Sequence, residues 1–423
     1  MPQDTPPVAP NTATRRRGRN FALSLAAALA AGAAYVGACA LVPLPAPTVE
    51  FAVPQEQRFA VDDAAAQVAV DAYDRPTAVG WLDGDDASVW ANDDTPQPLA
   101  SITKLVTVLV GQERDALEPG SDGPSYTWTA ADVVFQEELL ADDGIAFPID
   151  EGTGVTRREM LTLALIPSAN DFATAYAYSI FGDNAGFVAA VDDWAARNGF
   201  GSLTIREPSG MDDGNVASAA DVLRISRLVL ADPVLAEIVG TESATLPWGI
   251  GEVTNTNALL GSMSGAIGVK TGHTETAGYS LAAAARGEYA DRELTRIAVV
   301  LGRDTEEERT KQARAVLNGL AELPERQAVT TGGEYLGTLT SVDGQFLELS
   351  ADASSDLVLV PGEEATRTLL VGSAATSSGT GTGERIEIKS PQGDVAVGIN
   401  REGAFTEPSL RWRITHPRAL FGF

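Results

Sequence analysis

Hydrophobic positions fall into three regimes along the chain. Residues 21–44 form an apolar run without a charged side chain, and a helix of that length, at about 1.5 Å per residue, crosses a hydrocarbon core of roughly 30 Å. From Phe59 the pattern becomes mixed. "AAQVAV" (65–70) and "TAVGWLD" (77–83) read as short strands, whereas "SITKLVTVLV" (101–110) is apolar on every side, as a buried helix is. "TRREMLTLALI" opens on a capping box, with Thr156 followed three residues later by Glu159. Phe187, Val188, Val191, Trp194 and Ala195 share one helical face, and Gly199 is placed to stop that helix. A further helix begins at Ser218. The period then changes: "GAIGVKT", "GYSLAAAA" and "TRIAVVLG" read as three neighbouring strands, closed by the charged helix "TEEERTKQARAVLNGLAE".

Beyond Leu323 the runs are short and separated by Gly, Ser, Thr, Pro and Asp: "YLGTLTSV", "QFLELSA", "DLVLV", "TRTLLV", "RIEIK", "DVAVGI" and "RWRIT". This spacing predicts a small all-β domain, within which "GSAATSSGTGTG" (372–383) reads as a mobile low-complexity loop. The expected organisation is a basic tail (1–20), an apolar anchor or signal segment (21–44), a proline-bearing linker (45–58), an α/β (α+β) domain (59–323) and a β-rich C-terminal domain (324–423). The four arginines of "RRRGRN" precede the apolar run and set its start on the cytoplasmic side. Cleavage after Ala40 or a lipid-modified Cys39 are the alternatives to an uncleaved anchor, and the apolar run continues past both. All three place the remainder outside the cytoplasm, and the uncleaved anchor that the length of the run favours gives a single-pass protein of a bacterial cell membrane with an extracellular catalytic domain.

Charge and composition narrow the function classes. The formal net charge is −28, which repels a phosphate backbone, so nucleic acid is not an expected partner. One cysteine, Cys39, and two histidines, His273 and His416, leave no Cys/His cluster at metal-ligand spacing, and neither a metal nor a cofactor is expected. The four lysines stand at 104, 270, 311 and 389 among 30 basic residues. A chain that writes arginine nearly everywhere has kept lysine at 104, inside the apolar helix.

Ser101 and Lys104, at i and i+3, lie on one helical face. A serine hydroxyl becomes a good nucleophile when a base takes its proton, and a lysine serves as that base once it is neutral. Burial favours the neutral amine, and lowering a lysine pKa by roughly three units corresponds to about 4 kcal/mol. Arginine does not release its proton. Two further stretches fit the same chemistry. "LIPSAND" puts Ser168 and Asn170 in a turn between helices, and "GVKTGHTETAGYSL" puts Lys270, Thr271 and Gly272 at a strand end, where glycine admits a ligand backbone and Lys with Thr holds a carboxylate.

Ser-x-x-Lys, Ser-x-Asn and Lys-Thr-Gly, in that order, are the motif set of penicillin-binding proteins and β-lactamases. With "PLASITKLVT", "MLTLALIPSANDFATAYA", "EPSGMDD" and "NTNALLGSMSGAIGVKTGHTETAGYSLAAAA", the chain resembles low-molecular-weight penicillin-binding proteins that act as D-alanyl-D-alanine carboxypeptidases, over roughly residues 60–320. The resemblance implies a transpeptidase-like fold, an antiparallel sheet flanked by helices. It implies Ser101 as acyl nucleophile, Lys104 as acylation base and Ser168 as proton relay to the leaving D-alanine. It also implies that Asn170 holds the acyl-side amide, that Lys270, Thr271 and Gly272 bind the terminal carboxylate, and that the backbone N–H groups of Ser101 and His273 form the oxyanion hole. The implied partners are a peptidoglycan stem peptide ending in D-Ala-D-Ala, β-lactam antibiotics, and the cytoplasmic membrane through residues 21–44.

Relatives tend to carry an arginine beyond the third strand for the carboxylate, and Arg303 and Arg309 both qualify. A D,D-endopeptidase would use the same residues. A β-lactamase needs a deacylation base such as the glutamate of an "E-x-x-L-N" loop, absent after Ser168, and Glu207 in "REPSG" is a poor substitute. A non-catalytic wall-binding module would have no use for the Ser101–Lys104 pair.

Overall fold

The computed structural model describes residues 12–85, 88–371 and 384–422, with side chains from residue 19. The loop expected at 372–383 lies outside the described residues. The chain divides into two compact units: one holds residues 60–327 and 357–364, the other the N-terminal segment to 59 with 328–356 and 365–423.

The larger unit is built on a five-stranded antiparallel sheet. Its order is Ala266–Thr274, Gly278–Tyr289, Arg292–Arg303, Thr77–Trp81 and Val89–Ala91. Both faces are covered, so alternate residues of one strand enter different cores. Ile297, Val299 and Leu301 join the core beneath the helices Thr103–Arg114 and Ala219–Ala231, while Ala298 and Val300 pack against Ala64–Asp71 and Glu306–Leu320. That is why "TRIAVVLG" is continuously apolar. The capping box forms as the sequence predicts, with the Glu159 and Thr156 side chains exchanging bonds with each other's backbone N–H. Gly199 ends its helix in the left-handed conformation, φ 71°.

Residues 65–70 differ from the strand expectation. Ala64–Asp71 is a helix, because alanine favours that state and the i, i+4 pair Ala66 and Val70 is what the core takes up, leaving Val68 exposed.

The smaller unit carries a seven-stranded sheet ordered Thr48–Phe51, Tyr335–Thr340, Phe346–Ala351, Val395–Glu402, Arg385–Lys389, Glu364–Leu370 and Glu56–Ala60. Its two edges come from the segment read as a linker. "TVEF" pairs residue for residue with Gly337–Thr340, and its β-branched and aromatic side chains suit a half-buried edge. "RWRIT" is helical over Leu410–Thr415, because the Ser409 side chain caps the Trp412 N–H. Within this unit the Arg413 guanidinium donates to the carbonyls of Cys39, Ala40 and Val42 at the end of the N-terminal helix Thr12–Leu41, and the Tyr35 hydroxyl donates to Ile414 O. Of the described residues, Arg19–Leu41 forms the one helix long and apolar enough to cross a membrane.

Candidate active site

Ser101 sits in a short 3₁₀ turn, Ala100–Ile102, that runs into the helix Thr103–Arg114. One turn on, Lys104 has no solvent exposure. Its Nζ lies 2.9 Å from Ser101 Oγ, 3.0 Å from Asn170 Oδ1 and 2.6 Å from the Ser209 carbonyl oxygen. Two of these partners, an amide oxygen and a backbone carbonyl, can only accept. A neutral amine therefore directs its two N–H bonds to Asn170 and Ser209, and its lone pair faces the Ser101 hydroxyl. Burial pushes the Lys104 pKa down to about 7, against the opposing pull of the Glu207 and Asp171 carboxylates.

Asn170 begins the helix Asn170–Phe181, and its backbone N–H is fixed on Ile145 O at 2.7 Å. Its neighbour Asp171 is buried, accepting from Gln136 Nε2 and the Phe147 N–H, and its burial raises the carboxyl pKa against those bonds. Ser168 precedes them with φ 70°, and its buried Oγ has no hydrogen-bond partner. A hydroxyl held there in a left-handed backbone conformation is in place for a ligand or a water.

The third motif lies on the edge strand Ala266–Thr274. A Cβ on Gly272 would stand 2.6 Å from Leu99 O and 3.3 Å from Ala100 Cβ, so only glycine lets this strand close on the turn that carries Ser101. Lys270 is buried, donates to Thr271 O at 3.2 Å, and has its pKa lowered by burial and then by the charges of Lys104 and Arg309. The Thr271 hydroxyl pairs with Thr256 Oγ1 at 2.6 Å. The His273 ring is exposed and stacks on Tyr279, with centroids 3.9 Å apart.

The two arginines separate clearly. Arg303 is consumed by the scaffold, its guanidinium bonded to Gln312, Pro76 O, Leu301 O and Thr77 Oγ1. Arg309 is also buried and donates one N–H to the exposed Glu306 carboxylate at 2.8 Å, yet its Nε lacks a partner, its head lies 5.7 Å from the Tyr279 ring centroid, and it acts electrostatically on Lys270. Sequence reasoning left this choice open and passed over Ser209, which contributes a carbonyl oxygen that no side-chain motif advertises. A cavity of about 730 Å³ lies in the smaller unit, between residues 40–47 and the loops 341–343 and 399–408, with none of the motif residues in its lining.

The D-alanyl-D-alanine carboxypeptidase family of peptidases, S11, matches residues 88–305. The chain belongs to this family. It is 27% identical over 291 residues to the D-alanyl-D-alanine carboxypeptidase DacF of Bacillus subtilis, covering 67% of this chain and 72% of that protein. It is 32% identical over 214 residues to DacB2 of Mycobacterium tuberculosis, covering 40% and 73%. A D-alanyl-D-alanine endopeptidase of Pseudomonas aeruginosa is 29% identical over 199 residues, covering 45% of this chain and 60% of that protein. Penicillin-binding protein 5 of Haemophilus influenzae shares the fold, with a TM-score of 0.54 at 21% identity, covering 79% of this chain and 97% of that one. The protein is a serine-type D-alanyl-D-alanine carboxypeptidase with a transpeptidase-like fold.

Proposed function

We propose that this carboxypeptidase removes the terminal D-alanine of peptidoglycan stem peptides through an acyl-enzyme on Ser101. The observation that carries this reading is the buried Lys104 Nζ, 2.9 Å from Ser101 Oγ. Lys104 in its neutral form takes the Ser101 proton as Oγ attacks the carbonyl carbon between the two D-alanines. The Ser101 and His273 N–H groups hold the oxyanion, which for one donor is worth about 3 to 4 kcal/mol. The C–N bond breaks as Ser168 passes a proton to the departing D-alanine nitrogen, and water then hydrolyses the ester. Asn170 holds the acyl-side amide. Lys270, Thr271 and Arg309 bind the terminal carboxylate, and Gly272 lets the peptide lie close to the strand.

A β-lactam follows the same first step. Ring opening leaves its amine tethered at the site, so the acyl-enzyme persists. The Arg19–Leu41 helix anchors the protein as a single pass in a bacterial cell membrane, with the catalytic unit outside.

The test is D-alanine release from diacetyl-Lys-D-Ala-D-Ala by the detergent-solubilised full chain. Release by the wild type that Ser101→Ala abolishes is the expected result; release that survives in Ser101→Ala overturns the mechanism. The endopeptidase-named relative motivates a parallel assay on cross-linked dimers. Cleavage of dimers with no release from the tripeptide would make cross-links the substrate.

A further inference from the structure

The loop 207–215 carries a carboxylate that the reaction as described does not use. Glu207 Oε2 accepts from the Ser209 N–H (2.7 Å) and Ser209 Oγ (2.6 Å). Its Oε1 accepts from the Gly210 N–H (2.5 Å), Asn215 Nδ2 (2.8 Å) and the Asp212 N–H (3.3 Å). Five donors converge on one carboxylate and fold the loop around it. The loop is also fixed from outside. Asn215 is fully buried, its side chain holds the Arg206 N–H and Glu207 O, and its carbonyl accepts the Leu99 N–H, two residues before the nucleophile. Thr107 Oγ1 donates to Pro208 O at 2.7 Å. Gly210, at φ 91°, passes so close to the nucleophile turn that a Cβ there would stand 2.0 Å from Ala100 O. The product of this construction is one buried acceptor in the right place: the Ser209 carbonyl, 2.6 Å from Lys104 Nζ.

We propose that Glu207 is a positioning residue for acylation, holding the Ser209 carbonyl on Lys104 Nζ and supplying a fixed negative charge that stabilises the ammonium formed when Lys104 takes the Ser101 proton. The inference rests on the Ser101–Lys104 reading above. With Ser209 O and Asn170 Oδ1 both fixed, the lone pair of neutral Lys104 has one direction left, toward Ser101. If the carboxylate no longer organises the loop, the carbonyl moves and the lone pair loses its aim. The charges facing Lys104 are Glu207 on this loop, Asp171 on the helix Asn170–Phe181, and Lys270 on the edge strand; the two carboxylates favour its protonation and Lys270 opposes it.

Glu207→Gln keeps the shape and removes the charge. Its amide has one acceptor oxygen where the carboxylate has two, so part of the donor set loses its partner. The experiment is acylation of the full chain in detergent by a fluorescent penicillin, as a second-order rate constant from pH 5.5 to 9, with a melting curve for each variant. The expected result is a plateau lowered about tenfold and an acid limb moved to lower pH by roughly half a unit, since an amine without its counter-charge loses its proton more readily. A limb that stays at the wild-type pH in a cooperatively folded variant, whatever the plateau does, reduces Glu207 to a structural residue and overturns the proposal.

Should Glu207→Gln not fold, Glu207→Asp keeps the charge but withdraws it by a methylene. It must lower the plateau and leave the limb near the wild-type position, and an unchanged plateau overturns the proposal. Ser101→Ala runs beside both. Label that persists in it sinks the Ser101 reading itself, a failure separate from any result at Glu207.

Discussion

A buried lysine whose pKa lies near 7 makes a kinetic and a thermodynamic prediction with opposite consequences. As a base it works only when neutral, so kcat/KM climbs about tenfold per pH unit below 7 and levels above it. In the unfolded chain the same lysine titrates near 10.5, so between pH 7 and 10.5 the unfolded state binds more protons and stability rises with pH; below 7 the cost of burying the charge is fully present. Lys104→Met is therefore expected to melt higher than the wild type at pH 6, with the gap closing by pH 10, while its acylation rate falls by roughly 10² to 10⁴. Calorimetry and penicillin labelling check the two halves. The arginines give a second pair of outcomes. Arg309→Gln raises KM for carboxylate-ended peptides roughly tenfold or more with little change in melting, by loss of a charge-assisted bond. Arg303→Gln, losing four scaffold bonds, lowers the melting temperature without a selective effect on KM. At this scale the candidate side chains were legible in the sequence, because the roles proposed for Ser101, Lys104, Asn170 and Lys270 rest on functional groups that their residue types declare, and Lys104 Nζ indeed lies against Ser101 and Asn170. The Ser209 carbonyl was not, since every residue has one and only the fold around Glu207 directs it.

Elements followed the pattern wherever one period dominated. The three sheet strands and the helix opened by Thr156 each combine local preference with a single buried face, or two buried faces, and local and tertiary preferences agree. Short segments went the other way. Residues 65–70, a short apolar run broken only by Gln67, and 411–415, which alternate polar and apolar, both pass for strands, but five or six residues hold too little period to outweigh alanine propensity in one case and the Ser409 cap in the other. The linker was misjudged for a different reason: Thr48–Phe51 and Glu56–Ala60 gain their structure only from partners some 290 residues or more later, a pairing no local window contains. This has a practical consequence for truncation. A chain beginning at residue 60 strips both outer strands from the seven-stranded sheet and leaves unpaired edges, so it is expected to aggregate. A chain beginning at residue 45 keeps them and should stay dispersed. Light scattering at matched concentration distinguishes the two, and a dispersed, fully labelled chain from residue 60 would show the two strands to be dispensable.

At the scale of the whole molecule, the end of the N-terminal helix meets the C-terminal segment around Arg413 within the smaller unit, and this bears on the fate of the apolar helix. The carbonyls that close the helix Thr12–Leu41 lack intrahelical partners, and Arg413 supplies a cation to those of Cys39 and Ala40 and to Val42 O beyond them, where the negative end of the helix dipole favours it. Tyr35 adds its bond to Ile414 O from within the apolar segment. Cleavage after Ala40 would discard Tyr35 and two of the three carbonyls that hold the Arg413 head, leaving the buried guanidinium with Val42 O and the exposed Glu407 carboxylate 3.5 Å away, a costly loss of acceptors. Modification at Cys39 would remove Tyr35 and place a lipid on a thiol that is buried here. Only the uncleaved helix satisfies every one of these contacts. The prediction is that protein extracted from membranes carries its N-terminal segment, with an intact mass near the 44.1 kDa of the full sequence. A species beginning at Leu41, or one acylated at Cys39, would refute the anchor and require another partner for Arg413. Arg413→Gln provides the complementary check: it should weaken protection of residues 409–421 against hydrogen exchange while leaving penicillin acylation at Ser101 unchanged, because the residues Arg413 holds lie in the smaller unit and those that make the acyl bond lie in the larger one.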